Sequence, residues 1–193
     1  MAIIRPLLGK VPRIGEGTFL AETAVVIGDV EIGRDCSVWY HVVIRGDVHF
    51  IRIGDRTNVQ DGAILHCTYQ KAPLVIGNEV TIGHGAIVHG CTIGNRVLVG
   101  MGAIVLDHAE VPDEVLIAAG ALVPQGARLE SGYLYAGVPA RPIKPLSTEQ
   151  RESLLQYASR YVLYKSWYAE GGFPQADFSG LAGSGSQVGQ RPS

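Results

Sequence analysis

The chain has 193 residues, of which 47% are hydrophobic and 18% are charged, and its formal net charge is −2. This composition predicts one globular domain with a sizeable core and excludes an intrinsically disordered chain. Basic residues are not in surplus, so neither nucleic acid nor an anionic membrane is an expected partner. No apolar run is long enough to span a bilayer, and the segment MAIIRPLLGK lacks a signal-peptide pattern.

Three cysteines, an odd number, occur without a Cys-x-x-Cys spacing: Cys36, Cys67 and Cys91. This pattern predicts free thiols in a reducing compartment, and hence a cytoplasmic protein. Each cysteine is interpreted as a small residue in the core or at a corner. The 25 glycines, together with many valines and isoleucines, favour numerous short strands joined by tight corners.

From Ile14 onward an aliphatic residue recurs at every sixth position. Three extra residues after Ile44, an excursion over Cys67–Pro73 and one missing residue after Val88 interrupt this pattern, which then resumes. The repeated positions are Ile14, Leu20, Val26, Ile32, Val38, Ile44, Ile53, Val59, Leu65, Ile76, Ile82, Val88, Ile93, Val99, Val105, Val111, Ile117, Val123, Leu129 and Tyr135. A period of six fits neither an ordinary helix nor an alternating strand.

The six-residue period predicts an all-β solenoid, in which six residues form one flat side and one corner. Three sides then close a triangular coil, and successive coils stack at the strand spacing of about 4.8 Å. The repeated aliphatic residues point inward, and each coil buries its faces only against its neighbours. We therefore expect residues 1–146 to form a parallel β-helix domain.

A C-terminal helix is predicted for residues 147–170, packed on a face of the β-helix. Ser147 and Gln150 have the spacing of a capping box, and the helix is expected to reach about Ala169. Its predicted apolar side comprises Leu154, Leu155, Ala158, Tyr161, Val162 and Tyr168. Residues 171–193 are rich in Gly, Ser and Gln and are expected to form a flexible tail.

Two histidines occupy equivalent positions on successive coils. Arg45, His66 and His89 each follow a repeated aliphatic residue of the same predicted column. The backbones of His66 and His89 should then lie about 4.8 Å apart. Two imidazoles at this separation can share one metal ion, because Zn–N bonds are about 2.0–2.1 Å long. A plain ladder of stacked histidines is the alternative interpretation.

A third histidine, His84, is predicted at a different corner, near Gln60 and Asp61. It lies five residues before His89, or roughly 15 Å along an extended chain at ~3.3 Å per residue. One chain therefore does not easily bring all three histidines to one ion, whereas a neighbouring chain can. Three chains around a three-fold axis would form three identical interfacial sites, so a homotrimer is expected. Three nitrogen ligands leave zinc an open position, as in catalytic sites.

The remaining histidines, His41, His49 and His108, are interpreted as solvated corner residues. Taken together, the histidines and the repeat resemble the γ-class carbonic anhydrases, and in particular their short bacterial branch. The resemblance extends over about Gly9 to Gly171. Its motifs are Arg45-Gly46-Asp47, Thr57-Asn58-Val59-Gln60-Asp61, Leu65-His66, and Gly83-His84 through His89-Gly90.

This resemblance implies a left-handed β-helix and a homotrimer that hydrates carbon dioxide reversibly to bicarbonate. His66 and His89 of one subunit and His84 of the next would bind Zn²⁺, with Fe²⁺ or Co²⁺ as further candidates. Zinc lowers the pKa of its bound water from ~15.7 to about 7, which makes hydroxide available at neutral pH.

The resemblance also assigns roles to other candidate site residues. Arg45 and Asp47 resemble an inter-subunit ion pair that shapes the site, and Arg45 is a candidate contact for bicarbonate. Gln60 resembles the residue that orients the metal-bound water, and Asp61 supports it. Solvated or interface salt bridges for Arg45 and Asp47, and a corner hydrogen bond for Asp61, are the structural alternatives.

Two departures from the family pattern predict slow turnover or a different physiological reaction. Val48 stands where well-known members have a Glu directly after the motif Asp, and the excursion Cys67–Pro73 contains no carboxylate. Fast hydration needs a group that removes the proton released from the metal-bound water. Tyr161 and Tyr164 on the helix are candidates for residues directed toward the site, or for plain packing.

Two other functions remain open at this point. A hexapeptide acyltransferase would use acetyl-CoA with a histidine as the general base, although the chain lacks the added substrate loop or domain that such enzymes usually have. A non-catalytic metal-binding or siderophore-binding protein would keep the histidines as a structural site or a relic.

Overall fold

A computed structural model describes residues 1–169, and the predicted tail 171–193 lies outside the described residues. These residues form nineteen short strands and one helix. The elements are β1 Ile3–Arg5, β2 Arg13–Ile14, β3 Phe19–Leu20, β4 Val25–Ile32, β5 Ser37–Val38, β6 Val43–Ile53, β7 Asn58–Val59, β8 Ile64–His66, β9 Leu74–Ile76, β10 Thr81–Ile82, β11 Ile87–His89, β12 Thr92–Ile93, β13 Leu98–Val99, β14 Ile104–Val105, β15 Glu110–Val111, β16 Leu116–Ile117, β17 Leu122–Val123, β18 Tyr133–Ala136, β19 Arg141–Pro145 and α1 Thr148–Ala169.

Columns of parallel strands make up the three sides of the solenoid. Strands β4 and β6 each run round a corner and join two sides into one 11-stranded sheet. The third side is an 8-stranded sheet with the order β3-β5-β7-β10-β13-β16-β18-β19, in which β19 is antiparallel. The predicted parallel solenoid with one C-terminal helix is therefore confirmed, with about 7 coils.

The register of the strands confirms the predicted columns. Val26 pairs with Ile44, Ile44 with Leu65, Leu65 with Val88, and Val88 with Val105. All five side chains are 0% exposed, so they form a continuous inner stack. A side chain next to this stack is consequently placed at the same height on each coil.

Strand β6 absorbs the three extra residues of the repeat where its pairing with β4 shifts register. Gly46 lies so close to β4 that a Cβ would stand 2.6 Å from the carbonyl oxygen of Asp29, which only glycine tolerates. Arg45 and Asp47 flank this glycine. They are two residues apart in a strand and therefore project on the same side, where they form an ion pair.

Helix α1 begins with the predicted capping box. The Gln150 backbone N–H donates to Ser147 Oγ at 3.2 Å, and the Ser147 N–H donates to Gln150 Oε1 at 3.1 Å.

Leu154 and Ala158 are buried, but Leu155 is 39% exposed, so its predicted place in the apolar side is wrong. The remaining predicted members are partly buried, apart from Tyr168, which is 39% exposed and still packs on Phe19, Trp39 and Tyr40.

The contacting stripe of the helix follows Leu154, Ala158, Tyr161 and Lys165 at alternating steps of four and three residues. Leu155 lies one residue outside this stripe. The long Lys165 side chain is 10% exposed, and its ammonium group donates to Gly17 O and to Asp35 Oδ1. Within residues 1–169, no helix has the length and apolarity needed to cross a bilayer.

Replacing Lys165 with Met should loosen the helix from the β-helix. The hydrogen bond from Lys165 holds the pKa of Asp35 below its usual value. This stabilisation is complete above the pKa of an unfolded aspartate, near ~3.9, and is lost as the pH falls through the lower folded-state pKa. We expect Lys165→Met to lower the free energy of unfolding by about 1–3 kcal/mol near neutral pH.

Urea unfolding of both proteins at neutral pH and at about pH 3 measures this difference, which should shrink in acid. An equal deficit at both pH values would contradict an ionic contribution from Asp35.

The three cysteines lie in the core as free thiols. Burial raises the pKa of Cys36 to about 11 and that of Cys67 to about 12, and it raises the pKa of Cys91 as well. Only a thiolate reacts readily with disulfide reagents. We expect all three thiols to resist Ellman's reagent in the folded protein and to react after denaturation. Rapid labelling of any one of them in the native state would contradict their burial.

Candidate metal centre

Strands β8 and β11 place His66 directly opposite His89. Their rings meet, with His66 Nδ1 3.0 Å from His89 Nε2. The side chains are 17% and 29% exposed, respectively, so the pair lies in a partly sheltered position on one edge of the solenoid. The predicted stacking of the two histidines is therefore present in the single chain.

A carboxylate fixes the outer nitrogen of each ring. His66 Nε2 lies 2.9 Å from Asp47 Oδ1, and His89 Nδ1 lies 2.6 Å from Asp107 Oδ1. An ionised carboxylate only accepts hydrogen bonds, so these two ring nitrogens carry the hydrogens. The nitrogens that face each other are then both unprotonated. Two such lone pairs at 3.0 Å repel one another unless a proton or a metal ion lies between them.

The ionisation of the two aspartates supports this placement of the ring hydrogens. Burial raises the pKa of Asp47, but hydrogen bonds from Arg45 and His66 outweigh it and bring the net pKa below the usual value. Asp107 behaves in the same way through Thr68 and His89. Burial lowers the pKa of His66, and the Asp47 hydrogen bond offsets this only in part. Two charged carboxylates therefore flank the histidine pair.

The separation of the two facing nitrogens suits a tetrahedral metal ion. Two nitrogen ligands at ~2.0–2.1 Å from zinc lie about 3.3 Å apart at a tetrahedral angle, close to the observed separation. Among residues 1–169 of one chain, no three His, Cys, Asp or Glu side chains form a group that could hold a metal ion. His66 and His89 fit two of the ligand positions that zinc needs.

His84 lies apart from this pair and has its own carboxylate. Its Nδ1 is 2.9 Å from Asp61 Oδ2, while Asp61 Oδ1 accepts the backbone N–H of Tyr40 at 3.2 Å. In a neutral ring, the same donor argument places the hydrogen of His84 on Nδ1 and leaves Nε2 as the nitrogen that can bind a metal ion. The His84 side chain is 48% exposed, so this nitrogen is available to a metal ion held partly by another chain.

A cavity of about 440 Å³ lies between α1 and the 8-stranded sheet. Gln60, His84, Arg160 and Tyr161 line it together with mostly aliphatic walls. Gln60 is 6% exposed, and its amide nitrogen donates to Asn58 Oδ1 at 3.1 Å. This hydrogen bond fixes the amide and leaves its oxygen as the group able to accept a hydrogen bond from a molecule in the cavity.

The single chain brings Arg45 and Asp47 into an ion pair with each other. Their predicted pairing between subunits stays a prediction. Tyr161 lines the cavity that contains His84 and a second one that contains Asp61, and its ring also packs on Trp39 at 5.7 Å between centroids. Burial raises the pKa of Tyr161, and the negative charge of Asp61 adds to that effect. Both interpretations of Tyr161, packing and site contact, therefore have structural support.

The chain is similar in sequence to known hexapeptide-repeat proteins. Residues 12–46 match the family model described as bacterial transferase hexapeptide (six repeats). The chain is 51% identical over 176 residues to protein YrdA of Escherichia coli, covering 88% of this chain and 96% of that protein. It is 38% identical over 166 residues to a carbonic anhydrase of Geobacillus kaustophilus, covering 86% and 91%. The chain belongs to the γ-carbonic-anhydrase-like family of hexapeptide-repeat proteins.

The γ-carbonic-anhydrase-like fold is also found in solved structures. A hexapeptide transferase family protein from Anaplasma phagocytophilum is 40% identical, with a TM-score of 0.83, and the match covers 86% of this chain and 98% of that one. The names of these relatives point to two chemistries, carbon dioxide hydration and group transfer. The choice between these two chemistries therefore depends on the side chains around the site.

Two residues near the histidine pair, Asp107 and Thr68, were missed from the sequence, and Asn58 was quoted there only within a motif, without a role of its own. Asp107 stands two residues after the repeated Val105, one coil beyond His89, so inspection of the second position after each rung could have found it. Thr68 carries no such signal, because it lies in the excursion that interrupts the repeat.

Of the three histidines expected at solvated corners, His41 and His108 are exposed, whereas His49 is partly buried.

Proposed function

We propose that this protein hydrates carbon dioxide reversibly at a metal ion held between the subunits of a homotrimer. His66 and His89 of one subunit and His84 of the next would hold the ion, with Zn²⁺ as the first candidate and Fe²⁺ or Co²⁺ as alternatives. The cytoplasmic location stays a prediction, and it suits three free cysteines.

One observation carries the proposal. His66 Nδ1 and His89 Nε2 face each other at 3.0 Å, and each ring is oriented by its own aspartate. His84 has the same arrangement with Asp61 on another edge. Ring orientation by carboxylates is typical of metal-ligating histidines, and a ladder of stacked side chains does not require it. Relatives named carbonic anhydrase add support from outside the geometry.

Other residues of this chain have the remaining roles in the proposed reaction. A bound zinc ion would supply hydroxide at neutral pH by lowering the pKa of a water molecule. The aliphatic walls of the 440 Å³ cavity suit carbon dioxide, which is apolar. The Gln60 amide oxygen accepts a hydrogen bond and so orients a reacting water, while Arg45 provides a cationic group for bicarbonate. Val48 and the carboxylate-free excursion offer no proton acceptor, so turnover is expected to be slow.

The proposal is tested by metal analysis of anaerobically purified protein together with a stopped-flow hydration assay. We expect one metal ion per chain and a measurable hydration rate that chelators abolish. Metal-replete protein with no turnover of carbon dioxide or bicarbonate would overturn the catalytic part, and the non-catalytic metal-binding or siderophore-binding alternative would replace it.

The acyltransferase alternative has one finding in its favour. The matching family model and the Anaplasma protein are both named as transferases. Isothermal titration with acetyl-CoA separates the two proposals. We expect no heat of binding, and saturable binding near the cavity that contains His84 would favour group transfer instead.

Replacing Gln60 with Leu should slow hydration while leaving the metal in place. Leucine has a similar size but no acceptor oxygen, so a water molecule in the cavity loses its orienting partner. We expect a ~10–100-fold lower hydration rate with unchanged metal content. An unchanged rate, measured alongside the wild-type protein at equal metal loading, would remove Gln60 from the site.

A further inference from the structure

We propose that Asp107, held by Thr68, is the positioning residue that aims His89 at the metal ion and sets the affinity of the site. This inference rests on the proposed function and adds two residues to it. Neither residue belongs to the motifs that carry the family resemblance, and both were found only from the folded chain.

Each carboxylate oxygen of Asp107 has its own hydrogen-bond partner. Its Oδ1 lies 2.6 Å from His89 Nδ1, and its Oδ2 accepts a hydrogen bond from Thr68 Oγ1 at 2.6 Å. Both carboxylate oxygens are therefore occupied, and the group is held from two sides. Thr68 and Asp107 are 39 residues apart in sequence. The excursion after His66 thus reaches across the coil of His89 to the coil beyond it.

This arrangement fixes which nitrogen of His89 can bind a cation. Because Asp107 accepts the hydrogen of Nδ1, the lone pair of Nε2 is directed at His66. Without Asp107, the ring can take the other tautomer, in which Nε2 carries the hydrogen and cannot bind a metal ion. A charged hydrogen-bond partner also makes the imidazole a stronger ligand.

Gly90 provides the space for this contact. A Cβ at this position would lie 2.3 Å from Asp107 Oδ1 and 2.7 Å from Ala72 Cβ. Its φ of 50° also lies in the left-handed region, which favours glycine. The residue directly after the ligand is therefore the one that lets the Asp107 carboxylate approach the ring.

The test compares metal affinities of matched variants, with Zn²⁺ alone as the probe and a chromophoric chelator as competitor. Asp107→Asn is expected to lower zinc affinity ~10–100-fold. Thr68→Val, which keeps the shape and removes the hydroxyl, should lower it by a smaller factor, and Thr68→Ser should restore it. Asp113→Asn is the control, because Asp113 also stands two residues after a rung but bonds Asn95 on another corner. Wild-type affinity in Asp107→Asn or in Thr68→Val would overturn the inference.

A second measurement needs no metal. Nitrogen-15 NMR of the metal-free protein reports the tautomer of each ring, and His89 is expected to carry its hydrogen on Nδ1 in the wild type and to lose that preference in Asp107→Ala. A wild-type His89 protonated on Nε2 would overturn the inference whatever the zinc result. Absence of zinc binding by the wild-type protein, with the tautomer as expected, would overturn the proposed function and the effect of Asp107 on affinity, and would leave only the orientation of the His89 ring by Asp107.

Discussion

Subunits carrying His84→Ala, mixed with subunits carrying His89→Ala, are expected to recover metal binding that neither variant has alone. Each interface of a head-to-tail trimer would use His84 of one subunit and the His66/His89 pair of the next. An interface is complete when the first subunit carries His89→Ala and the second carries His84→Ala. In a cyclic trimer that contains both variants, one of the three interfaces has this order, so roughly one third of the sites should be complete. Zinc content and hydration rate of doubly tagged, co-expressed trimers measure the recovery.

The matched control combines His66→Ala with His89→Ala. Both changes remove a ligand from the same edge of the solenoid, so every interface lacks one of the two and no activity should return. Full zinc content in His84→Ala trimers would contradict a shared site, as would mixed trimers that form but stay empty. These outcomes also separate an interfacial site from one assembled within a single chain.

The solenoid and the histidine pair were predictable because both follow from the inner stack. Leu65 and Val88 are fully buried and pair in register, so His66 and His89 must lie side by side. The periodicity of the backbone was therefore sufficient to predict the histidine pair, and no side-chain conformation had to be known. The capping box of α1 was predictable for a similar reason, because its two hydrogen bonds join residues only three apart.

Contacts that depend on irregular segments were not predictable. Thr68 meets Asp107 because the excursion folds back over a neighbouring coil, and no period specifies that path. The buried Lys165 was missed because its charge argues against burial until Gly17 and Asp35 are seen to satisfy it. The predicted apolar side of α1 included Leu155 in place of Lys165 for the same reason. A sequence pattern shows which residues are hydrophobic, but it does not show which polar groups find hydrogen-bond partners in the fold.

Replacing Leu65 with Ala is expected to destabilise the folded chain strongly. The side chain is 0% exposed and stacks between Ile44 and Val88 in the middle of the column. Its removal leaves a cavity that the coils cannot close, at a cost of about 2–5 kcal/mol. Each coil of a solenoid is stabilised only by its neighbours, so a loss in a central coil weakens the pairing on both sides. Urea unfolding measures the loss.

The same deletion at an exposed position provides the control. Leu163 on α1 is 54% exposed, and Leu163→Ala should change the free energy of unfolding by less than about 0.5 kcal/mol. Because His66 directly follows Leu65 in β8, the cavity should also displace the ring from His89 and weaken zinc binding at temperatures where the variant is still folded. Wild-type zinc affinity in a folded but destabilised Leu65→Ala protein would contradict the dependence of the metal centre on this inner stack.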